Sequence, residues 1–230
     1  MFSNELIVSL LDLTSLTGQE TKTDILSVCQ QAQTPYGKVA AVCLYPTHLL
    51  LAKQLLFNTS IKLATVINFP HGKSLLAESL ATIELAIEHQ ADEIDLVMPY
   101  YLLFEKNYHA IETYLQKCRE ACPTHCLKVI IESGALMPEQ IKIACQLVIQ
   151  IKANFIKTST GKISQGASLA AADIILQTIQ ASQSNIGLKI SGGIRTKEQT
   201  RDYLNLAVTY FGKVWLQPTH FRIGCSRLLV

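Results

Sequence analysis

An α/β fold, a closed (β/α)8 TIM barrel with an N-terminal helical extension and a very short final helix, is predicted by three observations. Apolar runs of strand length alternate with amphipathic helical patterns along the chain. Hydrophobic residues make up 49% and charged residues 17% of the 230 residues, below the roughly 25% charged residues of an average soluble protein. That bias suits parallel strands, which are covered on both faces. Eight strand candidates can be read, and no G-x-G-x-x-G follows an early one, so a closed barrel is preferred to an open doubly wound sheet. No linker, low-complexity stretch or composition shift interrupts residues 1–230, which predicts a single domain.

The chain opens on a helical region. The strands that follow are expected at Val39–Leu44, Leu63–Phe69, Glu93–Met98, Leu127–Glu132, Asn154–Thr158 and Gly187–Ile190. Weaker strand signals lie at Lys213–Leu216 and Phe221–Ile223. Helices are expected at Thr47–Phe57, Ser74–His89, Glu105–Cys122, Pro138–Lys152, Ser168–Ala181 and Thr196–Leu206. Pro138 and Glu139 suit a first helical turn, and Thr196 with Gln199 reads as a capping box. Val230 stands only a few residues past the last strand signal, hence the very short final helix.

Several function classes are disfavoured. The formal net charge is +2 with acids and bases interleaved, so no Lys/Arg block offers a nucleic-acid surface. Met1 to Leu13 carries Glu5 and Asp12 but no base, unlike a secretory signal, and no apolar run reaches the ~18 residues of a membrane span. The odd set Cys29, Cys43, Cys118, Cys122, Cys126, Cys145 and Cys225 reads as free thiols in a reducing, cytoplasmic compartment. Cys118, Cys122 and Cys126 lack the paired C-x2-C spacing of zinc sites, so no metal is expected. Gly72-Lys73-Ser74 imitates the end of a P-loop, but Ile67 stands where its first glycine is required.

In such a barrel, chemistry sits at the C-terminal ends of the strands. Asp95 lies inside an apolar strand, where a carboxylate costs several kcal/mol unless it is paired or used. It is either half of a buried salt bridge, for example to Lys128, or a functional acid. Lys157 follows Phe155-Ile156 directly, and Lys189 stands at the end of the next strand. Adjacent parallel strands run about 4.8 Å apart, so the two lysines can share one cavity. Burial and a second cation both favour a free amine, the form that attacks carbonyls. The bland alternative is two unrelated rim lysines in surface ion pairs. Gly161, Gly192-Gly193 and Gly224-Cys225-Ser226 each follow a strand and are expected to open a helix, an anion-binding arrangement. Cys43 reads as a small buried residue at the rim, and His71 as a residue that fixes its loop by hydrogen bonds.

These segments resemble the deoxyribose-phosphate aldolase family of class I aldolases. The resemblance rests on Leu11-Asp12-Leu13-Thr14, Ala41-Val42-Cys43-Leu44-Tyr45-Pro46, Asn68-Phe69-Pro70-His71-Gly72 and Glu93-Ile94-Asp95-Leu96-Val97. It continues through Lys128-Val129-Ile130-Ile131-Glu132, Phe155-Ile156-Lys157-Thr158-Ser159-Thr160-Gly161, Lys189-x-Ser191-Gly192-Gly193-Ile194-Arg195 and Arg222-x-Gly224-x-Ser226. The resemblance implies that Lys157 forms a Schiff base, that Lys189 lowers its pKa, and that Asp95 relays protons. It implies a phosphate site around Thr160, Gly161, Lys162, Gly192, Gly193, Gly224, Cys225 and Ser226, with Asp12 and Cys43 lining the pocket. The implied reaction cleaves 2-deoxyribose 5-phosphate to glyceraldehyde 3-phosphate and acetaldehyde with no cofactor. The implied partners are the phosphosugar and acetaldehyde, and a homodimer is the assembly common in the family. A related lysine-dependent aldolase or transaldolase would use the same residues on a larger donor, whereas a phosphosugar-binding barrel would have no use for both lysines and Asp95.

Overall fold

Eight short parallel strands close on themselves in the computed structural model, which describes residues 2–227. In chain order they are β1 Leu11–Thr14, β2 Ala41–Leu44, β3 Lys62–Ile67, β4 Glu93–Val97, β5 Cys126–Ile130, β6 Phe155–Lys157, β7 Gly187–Ser191 and β8 Phe221–Cys225. Each pairs with its sequence neighbours, and β1 pairs with both β2 and β8 to complete the ring. A strand followed by a helix and a parallel strand requires a crossover on the outside, which gives the (β/α)8 TIM-barrel architecture.

Helices α2 Lys22–Gln31, α3 Leu49–Leu55, α4 Leu76–Glu88, α5 Tyr108–Ala121, α6 Pro138–Gln150, α7 Leu169–Ser182 and α8 Lys197–Phe211 follow strands one to seven, and α1 Asn4–Ser9 precedes the barrel. Their starts carry local chemical signals. Thr21 and Asp24 cap α2 reciprocally, Ser168 caps α7, Pro138 opens α6, and Thr196 with Gln199 forms the expected box on α8. The apolar faces of the helices meet the outward faces of the strands in one continuous buried cluster. After β8, Ser226 and Arg227 are not helical, and the expected final helix otherwise falls on residues 228–230, outside the described residues.

Two expected elements need correction. Leu11–Thr14, read as part of a helical region, is the first barrel strand. Four residues are too few to show a period, and Asp12 interrupts the only apolar run; pairing with β2 and β8 decides the conformation. Conversely, Lys213–Leu216 is not a strand. Gly212 ends α8 at φ 74°, and Lys213–Trp215 forms a 3-10 turn with Val214 exposed. Its apolar residues serve a local stack in which Trp215 lies on Phe211, with ring centroids 4.5 Å apart.

The inner face of the barrel is filled by alternate strand residues, as the pleat requires. The register sets Cys43 opposite Ala64, Val66 opposite Asp95, Asp95 opposite Lys128, Lys157 opposite Lys189, and Lys189 opposite Arg222. A small apolar cluster of Leu16, Ala41, Cys43, Ala64 and Val66 occupies one side. The ionisable residues occupy the other.

Candidate active site

Asp95 sits at the centre of β4 and is fully buried. Its two oxygens are used differently. Oδ2 accepts from both Lys157 Nζ and Lys189 Nζ at 2.7 Å, while Oδ1 accepts from Lys128 Nζ at 2.9 Å. The two alternatives left open by the sequence therefore coexist, since Asp95 is paired to Lys128 and also joins the two strand lysines. Lys189 Nζ lies 2.5 Å from Asp12 Oδ2, and Lys128 Nζ lies 2.5 Å from Glu93 Oε2. Arg222 closes the network, with Nη1 2.6 Å from Asp12 Oδ1 and Nη2 2.8 Å from Glu93 Oε1.

The network separates the ionisations of the lysines. Burial of Asp95 favours its neutral form, but Lys128, Lys157 and Lys189 outweigh that and hold its carboxyl well below the usual carboxylate range. Burial is the main influence on Lys157 and lowers its pKa; Asp95 opposes this and the Lys189 ammonium reinforces it, with a net lowering. A neutral amine still donates its hydrogen bond to Asp95. Lys189 is also desolvated, yet Asp12 and Asp95 together raise it above the ordinary lysine value. Of two lysines in register on adjacent strands, one is biased towards the free amine and the other towards the ammonium.

Lys157 borders a cavity of about 470 Å³ at the C-terminal end of the barrel. Thr160, Gly161, Lys162, Gly192, Gly193, Gly224, Cys225 and Ser226 line it, as does the segment from Thr14 to Thr17. Asp12, Cys43, Asp95 and Lys189 are fully buried and lie beneath it, not among its lining residues. Burial pushes the Cys43 thiol up to about 11. Asp12 and Cys43, expected to line the pocket, thus stand one layer below this cavity, in the barrel interior. Asp12 engages cations there.

The glycine turns come together at this cavity, but not at helix starts. Gly161 precedes α7 by several residues, Gly192 and Gly193 precede α8, and Gly224 lies within β8. What glycine supplies is close contact between loops. Ala167 N donates to Gly192 O at 3.0 Å, and a Cβ on Gly166 would lie 2.3 Å from that same oxygen. Gly192 and Gly193 also adopt φ 90° and 88°. His71 is exposed and has no side-chain hydrogen bond among the described residues; the loop is held by Asn68, which donates to Val97 O and accepts from Ser74 N.

Sequence reasoning missed four participants. Lys128 had entered only as a possible partner, while Glu93, Arg222 and Glu132 had no role. All are ionisable residues in or directly after apolar strands, the same signal that singled out Asp95. Glu132 is fully buried at φ 53°, just beyond β5, and its carboxyl is raised by burial. Its oxygens accept from the Thr160 amide at 3.2 Å and the Thr160 hydroxyl at 2.5 Å, which ties the loop after Lys157 to β5. Cys118 and Cys122 are buried, Cys122 Sγ donates to Cys118 O, and among the described residues no three His, Cys, Asp or Glu side chains are placed to hold a metal ion. No helix of the described residues is long and apolar enough to cross a membrane.

Solved structures resemble this chain over nearly its full length. A solved structure provisionally designated a deoxyribose-phosphate aldolase of Coccidioides immitis is 29% identical, covering 97% of this chain and 83% of that one, with a TM-score of 0.88. The deoxyribose phosphate aldolase of Aeropyrum pernix, described as having a unique tetrameric structure, is 25% identical over 97% of this chain and 88% of its own, with a TM-score of 0.79. QR15, an aldolase, is 26% identical over 96% and 91%, also with a TM-score of 0.79. The model of the DeoC/LacD family of aldolases matches residues 6–226, and the chain belongs to that family.

Proposed function

We propose that this aldolase works through a Schiff base on Lys157 and reversibly cleaves 2-deoxyribose 5-phosphate to glyceraldehyde 3-phosphate and acetaldehyde. One observation carries the reading. Lys157 and Lys189 converge on a single oxygen of Asp95, and of the two only Lys157 reaches the open cavity. An imine-forming residue needs a free amine in contact with substrate, with a charged acid–base partner behind it.

In this mechanism the neutral Lys157 amine adds to the C1 aldehyde of the open-chain sugar and water leaves, giving the imine. Asp95, through a water and with Lys189, removes the proton of the C3 hydroxyl. The C2–C3 bond breaks, its electrons pass into the imine, and glyceraldehyde 3-phosphate departs. The resulting enamine is protonated at C2, and water releases acetaldehyde from Lys157. Lys162, with the backbone N–H groups around Gly161, Gly192, Gly193 and Ser226, would receive the phosphate at the cavity rim. The proposal needs no metal or organic cofactor. We further propose a single domain, a cytoplasmic setting and a homodimer, the last of which light scattering would test directly.

Borohydride reduction in the presence of acetaldehyde or the sugar phosphate, followed by peptide mass mapping, tests the assignment. The adduct is expected on Lys157, and Lys157→Ala should reduce both labelling and turnover to background. An adduct on Lys189, or none, would overturn the mechanism. Preference for a longer ketose donor over the deoxyaldose would favour the transaldolase-like alternative.

A further inference from the structure

The barrel interior holds more charge than the proposed chemistry uses. Asp12 on β1 and Glu93 and Asp95 on β4 supply three carboxylates; Lys128 on β5, Lys157 on β6, Lys189 on β7 and Arg222 on β8 supply four basic groups. Every one of these side chains is at most 6% exposed. Uncompensated charge in such a setting costs several kcal/mol, so three carboxylates favour three protonated bases, not four.

The geometry identifies which base goes without. Lys128 reaches Glu93, Asp95 and Asp12 at 2.5, 2.9 and 3.7 Å; Lys189 reaches Asp12 and Asp95; Arg222 reaches Asp12 and Glu93. Among the described residues Lys157 reaches Asp95 alone, and that oxygen is shared with Lys189. Its proton is the least held of the four.

We propose that Lys128 is a positioning residue that keeps the Lys157 amine free, because by neutralising Glu93 and the Oδ1 side of Asp95 it makes Lys157 the surplus base of the barrel. Lys128 does not border the open cavity, so it acts only through Asp95 and the charge balance. It also turns Asp95, since holding Oδ1 leaves Oδ2 directed at both strand lysines. Other titratable groups stand near Lys157 but outside this ion-paired network. Burial pushes the thiols of Cys43 on β2 and Cys225 on β8 up to about 11 and 12. Glu132, beyond β5, is also raised by burial, engages Thr160, and makes no ion pair among the described residues. Lys162, Arg195 and Asp24 stand at the cavity mouth, Lys162 and Arg195 exposed to solvent that screens them.

This inference rests on the reading of Lys157 as the imine-forming residue, and one experiment separates the two. Labelling of Lys157 by acetaldehyde with cyanoborohydride is followed against pH in the wild type, Lys128→Met, Glu93→Gln and the double variant. Lys128→Met should move the labelling midpoint up by at least one pH unit, about a tenfold loss of free amine at neutrality. Glu93→Gln, which removes a negative charge with little change of shape, should move it to lower pH. The double variant restores the balance and should return the midpoint close to the wild-type value. Opposite shifts with mutual correction are not what a merely structural defect produces. Wild-type labelling at Lys157 with unmoved midpoints in the variants, or shifts in one direction for both, would overturn the inference and leave the aldolase reading standing. Absence of the Lys157 adduct in the wild type would overturn both. If Lys128→Met does not fold, the sign of the Glu93→Gln shift decides.

Discussion

The two sides of the barrel's inner face differ in kind. Strands β2 and β3 present Ala41, Cys43, Ala64 and Val66, which are small and uncharged, whereas β1 and β4 to β8 present seven ionisable side chains linked by ion pairs. The apolar side forms a wall of small, uncharged side chains beside the charged one. Without that wall Lys157 would be solvated, and burial, the largest influence lowering its pKa, would be lost. The contrast teaches that the reactivity of one lysine depends both on the charges it touches and on neighbours that supply none.

The contrast is broken most severely at Asp95. Asp95→Asn removes the anion shared by Lys128, Lys157 and Lys189 and should lower turnover by about 10²–10⁴-fold, the usual contribution of a positioned acid–base group. Breaking a buried pair costs about 3–5 kcal/mol, or roughly 6–20 °C in Tm for a chain of this size. The pH dependence follows in sign. Because the folded-state pKa of Asp95 is depressed, its stabilising contribution is complete above the ordinary carboxylate range and fades as pH falls through the folded value. Thermal melts of Asp95→Asn should therefore vary less with pH below about 4 than those of the wild type. Equal acid sensitivity would show that Asp95 does not carry that stability.

Lys189→Leu sharpens the contrast by removing one cation while keeping the site dry. Lys157 should then hold its proton more tightly, and the rate profile should move to higher pH. A profile displaced upward by one pH unit corresponds to about tenfold less free amine at neutrality. A profile that falls uniformly without alkaline recovery would assign Lys189 mainly to proton transfer, and an unchanged profile would remove it from the site.

Cys43→Ala tests the apolar side and should have the smallest effect. Loss of one buried sulfur atom should cost on the order of 1 kcal/mol in stability, measured by denaturant midpoint, with the pH profile in place. A profile that moved would mean that this one sulfur, and not the wall as a whole, governs the ionisation of Lys157.

Much of this architecture was legible in the sequence. The strands around Asp95, Lys157 and Lys189 announced themselves as apolar runs carrying one misplaced ionisable residue, and Pro138, Thr196 and Gln199 marked helix starts that the fold uses. Such signals are local, and local propensity and burial pattern decide them. Leu11–Thr14 was not legible as a strand, because four residues around a buried aspartate have no periodicity of their own; only the gap between β2 and β8 makes them extended. The same limit applies to the site. Composition could single out a lysine inside an apolar strand, but which carboxylate it meets depends on strand register and barrel closure. Tertiary structure alone brought Arg222 to Asp12 and Glu93, across 210 and 129 residues of chain, and left Lys157 with one shared oxygen. Charge balance in a dry interior depends on the summed contacts of all its members, and no single segment of sequence contains that sum.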